Sequence, residues 1–169
     1  MPVDRCGRFS YPLGVRIIAD TREQVPWTFE GQGFEIVRAK LDAGDYSVEG
    51  LEHRVSIERK SLDDWIGTVM RSRVRFYKEL ELLRAYEFRA VIVETSVREI
   101  MSGSYRSQVH PKAILGFITE VTVSQRVPVY LGGTRAEAQV LAGGFLRAAS
   151  DRLSSIPPGG LIEENPSAV

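Results

Sequence analysis

The run Ala90-Val91-Ile92-Val93 is apolar at every position, so both alternating sets of side chains must be kept from water if it forms a strand. Such a strand lies inside a sheet covered on both faces, and the surrounding periodicities supply the covers. Leu62, Trp65, Ile66 and Val69 recur at helical spacing behind Ser61, a capping residue with Asp64 three positions on. Further helices are expected over about 74–86 (Phe76, Leu80 and Leu83 on one stripe), over 111–124 (Ile114, Phe117, Ile118 and Val121) and over 134–149. Short β-branched or alternating runs predict strands at 15–19, 34–38, 45–48, 54–59 and 127–131. The third and fourth form a hairpin around Glu49-Gly50-Leu51-Glu52, where Gly50 frees the turn. Strands therefore come first as a meander and later alternate with helices, which predicts an α/β fold with a mixed central sheet flanked by helices on both sides.

A chain of 169 residues with 43% apolar content can bury one core. The expected layout is an N-terminal extension over 1–14, a globular domain over 15–150, and a flexible tail over 151–169, where Pro, Gly and Ser interrupt all periodicity. The single Cys6 excludes an internal disulfide and a cysteine-rich metal site, and fits a reducing cytoplasmic setting, nucleoid-associated if the source is microbial. No stretch reaches the roughly 20 apolar residues of a membrane span. The 22 basic residues balance the 22 acidic ones, so the whole-chain charge carries no nucleic-acid signature; the carboxylates of a metal site can cancel a basic face in that sum.

The chemistry concentrates in Ser56-Ile57-Glu58-Arg59-Lys60. On a strand, Ser56, Glu58 and Lys60 share one face, so a carboxylate and an ammonium point into the same space. Phosphodiester hydrolysis uses that combination: the carboxylate holds a hard divalent cation, and the ammonium orients the attacking water and offsets developing charge. A second acid is needed. Asp45 opens the partner arm of the hairpin behind Gly44, whose missing Cβ permits a tight bend. Asp20, at the tip of the first strand, is the third candidate, and Glu23 follows three residues later.

Three segments, Asp20-Thr21-Arg22-Glu23, then Gly44-Asp45-Tyr46, then Glu58-Arg59-Lys60 followed by Asp64, resemble the signature of the XPF-type nuclease domain, the structure-specific endonuclease family that includes archaeal Hef, within the restriction-endonuclease-like superfamily. The resemblance runs from about Val15 to about Ala149. It implies a metal-dependent DNA endonuclease using Mg²⁺ or Mn²⁺, acting on branched, flap or fork DNA in repair or recombination. It also implies Asp20, Asp45 and Glu58 as metal-site acids, Lys60 as the catalytic lysine, and Arg22, Glu23, Arg59 and Asp64 as supporting positions. Lys78 and Glu79 stand where the family pattern leads one to look for a glutamine. The tandem helix-hairpin-helix module that often follows such a domain is not expected here, since only the tail follows Ala149.

Other readings stay open at this point. A non-catalytic DNA-binding or dimer-partner subunit of the same fold is the alternative, although such a chain should have lost motif residues. Arg59 could pair with Asp64 or Glu23, and Asp64 could be no more than a helix N-terminal acid. Arg71, Arg75 and Lys78 fall at i, i+4 and i+7 with Arg73 near that line, giving a basic helix face that could hold DNA phosphates. His53 and His110 lack a second ligand at metal spacing. Trp27 and Tyr46 read as packing residues, with Trp27 the better candidate for base stacking. A homodimer is expected through the stripes Ile114, Phe117, Ile118, Val121 and Leu141, Phe145, Ala148, with Gly143 and Gly144 allowing close approach; the competing reading is that both stripes cover the sheet.

Overall fold

The structure, a computed structural model, describes residues 14–155; residues 1–13 of the extension expected over 1–14, and 156–169 of the tail expected over 151–169, lie outside the described residues. Its strands are β1 (Arg16–Asp20), β2 (Glu35–Ala39), β3 (Tyr46–Val48), β4 (Val55–Ser61), β5 (Phe88–Glu94) and β6 (Val129–Leu131). They form one sheet in the order β2-β1-β3-β4-β5-β6. The helices are α1 (Leu62–Gly67), α2 (Arg73–Leu83), α3 (Val97–Ser102), α4 (Pro111–Ser124) and α5 (Arg135–Ser154), with a π-helical turn, Thr68–Ser72, joining α1 to α2. Among the described residues no helix is long and apolar enough to cross a membrane.

The apolar run in β5 is interior, between β4 and β6. Val91 and Val93 join Trp65, Phe76, Leu80, Ile114, Phe117 and Val121 in the core under α1, α2 and α4. Ile92 joins Ile17, Ala19, Tyr46, Val55, Ile57, Ala142 and Leu146 under α5. Two buried layers on opposite faces of one sheet are what a strand apolar on both sides demands.

Three expectations need correction. The early strands are not a simple meander, because β1 and β2 are parallel while β1–β3 and β3–β4 are antiparallel. A parallel neighbour needs a long crossover, and the segment between β1 and β2 supplies it: Trp27 and Phe29 are buried beneath α5, where Gln139 Oε1 accepts from the backbone N–H groups of Thr28 and Phe29 at 2.9 and 3.0 Å. The last helix runs through Ser154 rather than Ala149, because Leu153 continues the buried stripe of Leu146 and Ala149. Helix α3 was not expected at all, although its signals are present: Ser96 accepts from the Glu99 N–H, and Gly103 ends the helix at φ 68°.

The stripes proposed for dimerisation divide. Ile114, Phe117 and Val121 are core residues at 0–3% exposure, so the α4 stripe covers the sheet and is corrected as an interface. Gly143 closes on Gln32 and Phe34 of the same chain. On α5, Leu141 and Ala148 remain exposed and Phe145 half-buried.

Candidate active site

Strand alternation and register assemble the site. Ile17 and Ala19 face α5, so Asp20 faces the other side; Tyr46 and Ile57 do the same, placing Asp45 and Glu58 on Asp20's side. Ala19 pairs with Tyr46 and Tyr46 with Ile57, while the Asp20 N–H donates to the Asp45 carbonyl at 2.8 Å and the Asp45 N–H to the Ile57 carbonyl at 2.7 Å. Asp20 on β1, Glu58 on β4 and Asp45, immediately before β3, thus stand close together at one end of the sheet.

Gly44 makes this register possible. Its φ is +74°, and a Cβ there would collide with Ser56 Oγ and lie 2.9 Å from the Ile57 carbonyl oxygen. Gly44→Ala is expected to cost about 3 kcal/mol, combining left-handed strain with overpacking, and to displace Asp45 from Glu58. A chemical denaturation curve superimposable on that of the parent protein would contradict this account of the turn.

Asp45 and Glu58 line one cavity of about 240 Å³ together with Arg22, Arg75 and Glu79. Burial pushes the Asp45 carboxyl up, the nearby Glu58 charge adds to it, and the group reaches about 8 despite a 2.8 Å hydrogen bond from the Arg59 backbone N–H. Glu58 is also raised by burial, opposed by Lys60. Lys60 Nζ lies 3.2 Å from Glu58 Oε1 and 3.9 Å from Glu79 Oε2, above the Phe76 ring at 4.6 Å.

Asp20 differs from this pair. Its carboxylate accepts from Arg22 N and Nε at 2.7 Å each, from Arg22 Nη2 at 3.0 Å and from Leu41 N at 2.6 Å. Burial alone would raise it, but these bonds, led by the Arg22 side chain, hold it down at about 2. Four hydrogen bonds use the acceptor capacity of a carboxylate, so Asp20 fixes Arg22 and the Leu41 turn. Among the described residues no three carboxylate, histidine or cysteine side chains gather closely enough to hold a metal. The expected three-acid site is here the Asp45–Glu58 pair with Asp20 alongside. That pair still fits Mg²⁺ or Mn²⁺, because a hard cation usually takes one or two carboxylates plus water and phosphate, and it would relieve the repulsion between two buried acids.

The supporting residues separate by face. Arg59 points toward α5, bonding Glu94 at 2.8 and 3.0 Å and Glu23 at 3.3 Å, so Glu23 is committed there rather than to the cavity. Glu94 also accepts from Trp27 Nε1 at 2.6 Å and Arg135 at 3.2 Å. Sequence reasoning missed it; an acid closing the apolar run of β5, as Asp20 closes β1, was the available signal. With Ser61 as the cap of α1, Asp64 accepts from the Ser61 hydroxyl at 2.6 Å and donates its own N–H to Ser61 Oγ at 3.1 Å. It lines a second cavity of about 310 Å³ with Lys60, Arg71, Arg75 and Glu79.

The basic face is only half assembled. Arg71 and Arg75 wall that cavity, whereas Arg73 Nε donates to the Val69 carbonyl at 2.9 Å with its guanidinium 4.9 Å over Phe117, and Lys78 is exposed on neither cavity. The spacing argument assumed one unbroken α-helix; the π-helical turn at Thr68–Ser72 changes the register between Arg71 and α2. Glu79, missed as a site residue, bonds Arg75 at 3.0 Å and borders both cavities. Trp27 is 1% exposed and stacked on Tyr46 at 4.7 Å, a packing role that leaves no face for a base. His110 caps α4 through Nδ1.

The same architecture occurs in XPF from Aeropyrum pernix, which superposes with a TM-score of 0.66 at 16% identity over 91% of this chain and 69% of that one. A structure of XPF from Aeropyrum pernix in complex with DNA superposes at 0.61 and 17% identity, over 87% and 76%. The sheet and its flanking helices are therefore those of the restriction-endonuclease-like XPF nuclease fold. No curated protein matches the sequence. The profile of the ERCC4 domain, however, matches residues 19–140, a span that contains Asp20, Asp45, Glu58 and Lys60, and on that match the chain belongs to the ERCC4 domain family.

Proposed function

We propose that this chain is an endodeoxyribonuclease that requires Mg²⁺ or Mn²⁺ and hydrolyses phosphodiester bonds at branched, flap or fork DNA in repair or recombination. The observation that carries the reading is the buried Asp45–Glu58 pair with Lys60 Nζ 3.2 Å from Glu58, beside a cavity walled by Arg71 and Arg75. Asp45 and Glu58 hold the cation, which when bound supplies Lewis-acid polarisation of the phosphate and a more acidic water. Lys60 donates a hydrogen bond to the attacking water and offsets charge developing on the phosphate. Arg71 and Arg75 hold strand phosphates, giving salt-sensitive affinity without base selectivity. Asp20 keeps Arg22 at the rim. The complex of Aeropyrum pernix XPF with DNA supports nucleic acid as the ligand class. The test is incubation of the pure protein with labelled single-stranded, duplex, flap, fork and four-way DNA under Mg²⁺ or Mn²⁺. Preferential cutting near a junction supports the reading, and equal cutting of every form, or none, opposes it.

The proposal includes a homodimer, now confined to α5 and the edge strand β6. Leu141, Phe145 and Ala148 lie along α5, and the Phe145 ring lies 6.4 Å from that of the exposed Tyr130. A twofold assembly needs only one self-complementary patch. Light scattering is expected to give twice the chain mass, falling to one in Phe145→Asp with the fold retained. Phe117→Asp is instead expected to unfold the protein, because Phe117 is core. A parent protein that stays monomeric with and without DNA would remove the dimer.

A further inference from the structure

Resting on the nuclease reading above, we propose that the substrate groove continues past Arg71 into a third recess, bounded by Met70, Arg71 and Arg106, which holds DNA beside the cut as a single strand with unpaired bases. The recess has a volume of about 270 Å³ and shares Asp63, Gly67 and Arg71 with the cavity beside Lys60. That cavity shares Arg75 and Glu79 with the one holding Asp45 and Glu58. The three form one path from the acid pair, past Lys60 and Arg75, to Arg106 in the segment between α3 and α4.

Charge distinguishes the far end of this path. Arg75 is tied to Glu79, Arg22 to Asp20 and Arg59 to Glu94. Arg71 and Arg106 are exposed, and neither side chain has a hydrogen bond or ion pair among the described residues. Two guanidinium groups with their donors free thus border one recess, set against the single carboxylate of Asp63. Met70, 56% exposed, lines the same recess, carried with Arg71 on the π-helical turn Thr68–Ser72. Such turns recur at functional sites.

This combination matches the chemistry of an unpaired nucleotide. Its phosphate takes the fork of a guanidinium, and its base face is apolar and polarisable, suited to a thioether or a guanidinium plane. In a duplex the base faces are stacked away, and Met70 would meet only the sugar-phosphate edge. Unpaired strand is therefore the occupant.

Fluorescence anisotropy with the full chain, in the presence of chelator so that no cutting occurs, tests this. The probes are labelled oligo(dT) of increasing length and a blunt duplex of the longest length. Arg106→Ala is expected to weaken binding of the long single strands about five- to tenfold, lower the salt slope by about one, and leave the duplex unaffected. Arg106→Lys should recover part of the loss, Asp63→Asn should tighten binding, and Arg152→Ala, on α5 across the sheet, should change nothing. Melting curves confirm that each variant is folded. Arg106→Ala binding long single strands as the parent does, or losing as much on duplex as on single strand, would overturn the proposal while leaving the nuclease reading intact. A parent protein that binds no DNA of any form would instead bring down the nuclease reading, and this groove with it.

Discussion

Asp45→Asn and Glu58→Gln are each expected to lower DNA cleavage about a thousandfold, the scale of several kcal/mol of transition-state stabilisation supplied through a cation the variant no longer holds. The fold should survive, because both side chains face a cavity rather than the core. Asp45→Asn should also reveal a cost built into the native site. The Asp45 carboxyl moves from an ordinary 3.8 in the unfolded chain to about 8 in the metal-free fold, so between those values the native state holds a proton that the unfolded chain has lost. Stability from this group is present below 3.8, falls as pH rises through the window, and is lost above about 8. The metal-free parent should therefore lose melting temperature from pH 5 to 8 more steeply than Asp45→Asn. Cation binding must displace the proton, so cleavage should climb with pH toward 8. A folded Asp45→Asn that cuts at near the parent rate would break the site assignment, and identical pH dependences of melting would break the electrostatic one.

Lys60→Ala should show the opposite separation. Loss of a group that positions and helps to activate the attacking water costs about 10²- to 10⁴-fold in turnover. Cation binding should persist or tighten, since the ammonium 3.2 Å from Glu58 Oε1 repels an incoming metal. Calorimetry of Mn²⁺ binding, run beside single-turnover cleavage, distinguishes the roles: retained binding with lost turnover is expected, and lost binding would make Lys60 a structural support of Glu58. Lys60→Arg is not expected to rescue, because a planar guanidinium cannot stand over Phe76 with the same reach.

What was legible in the sequence was what local pattern determines. Alternation in 56–60 put Glu58 and Lys60 on one face, Gly44 marked a bend that β4 approaches closely, and Ser61 with Asp64 marked the start of α1. The apolar run at 90–93 required cover on both faces, and α4 and α5 provide it. What could not be read depends on distant partners. Nothing local to Asp20 says that the Leu41 N–H, 21 residues on, will take one of its oxygens. Glu94 gathers Trp27, Arg59 and Arg135 from three separate segments. The parallel pairing of β2 follows from how the Trp27–Phe29 stretch docks under α5. The division of the basic helix came from a π-helical turn that a 3.6-residue count cannot anticipate.

The central claim is that Asp45, Glu58 and Lys60 form a metal-dependent phosphodiester-cleaving site. Its most direct measurement is a time course on end-labelled fork DNA, comparing the parent protein in Mn²⁺, the parent in chelator, and Glu58→Gln in Mn²⁺. The account predicts defined cuts near the junction in the first reaction and essentially intact strands in the other two, with both proteins melting as folded domains. Cutting that persists in chelator, or that Glu58→Gln matches at the parent rate, would contradict it.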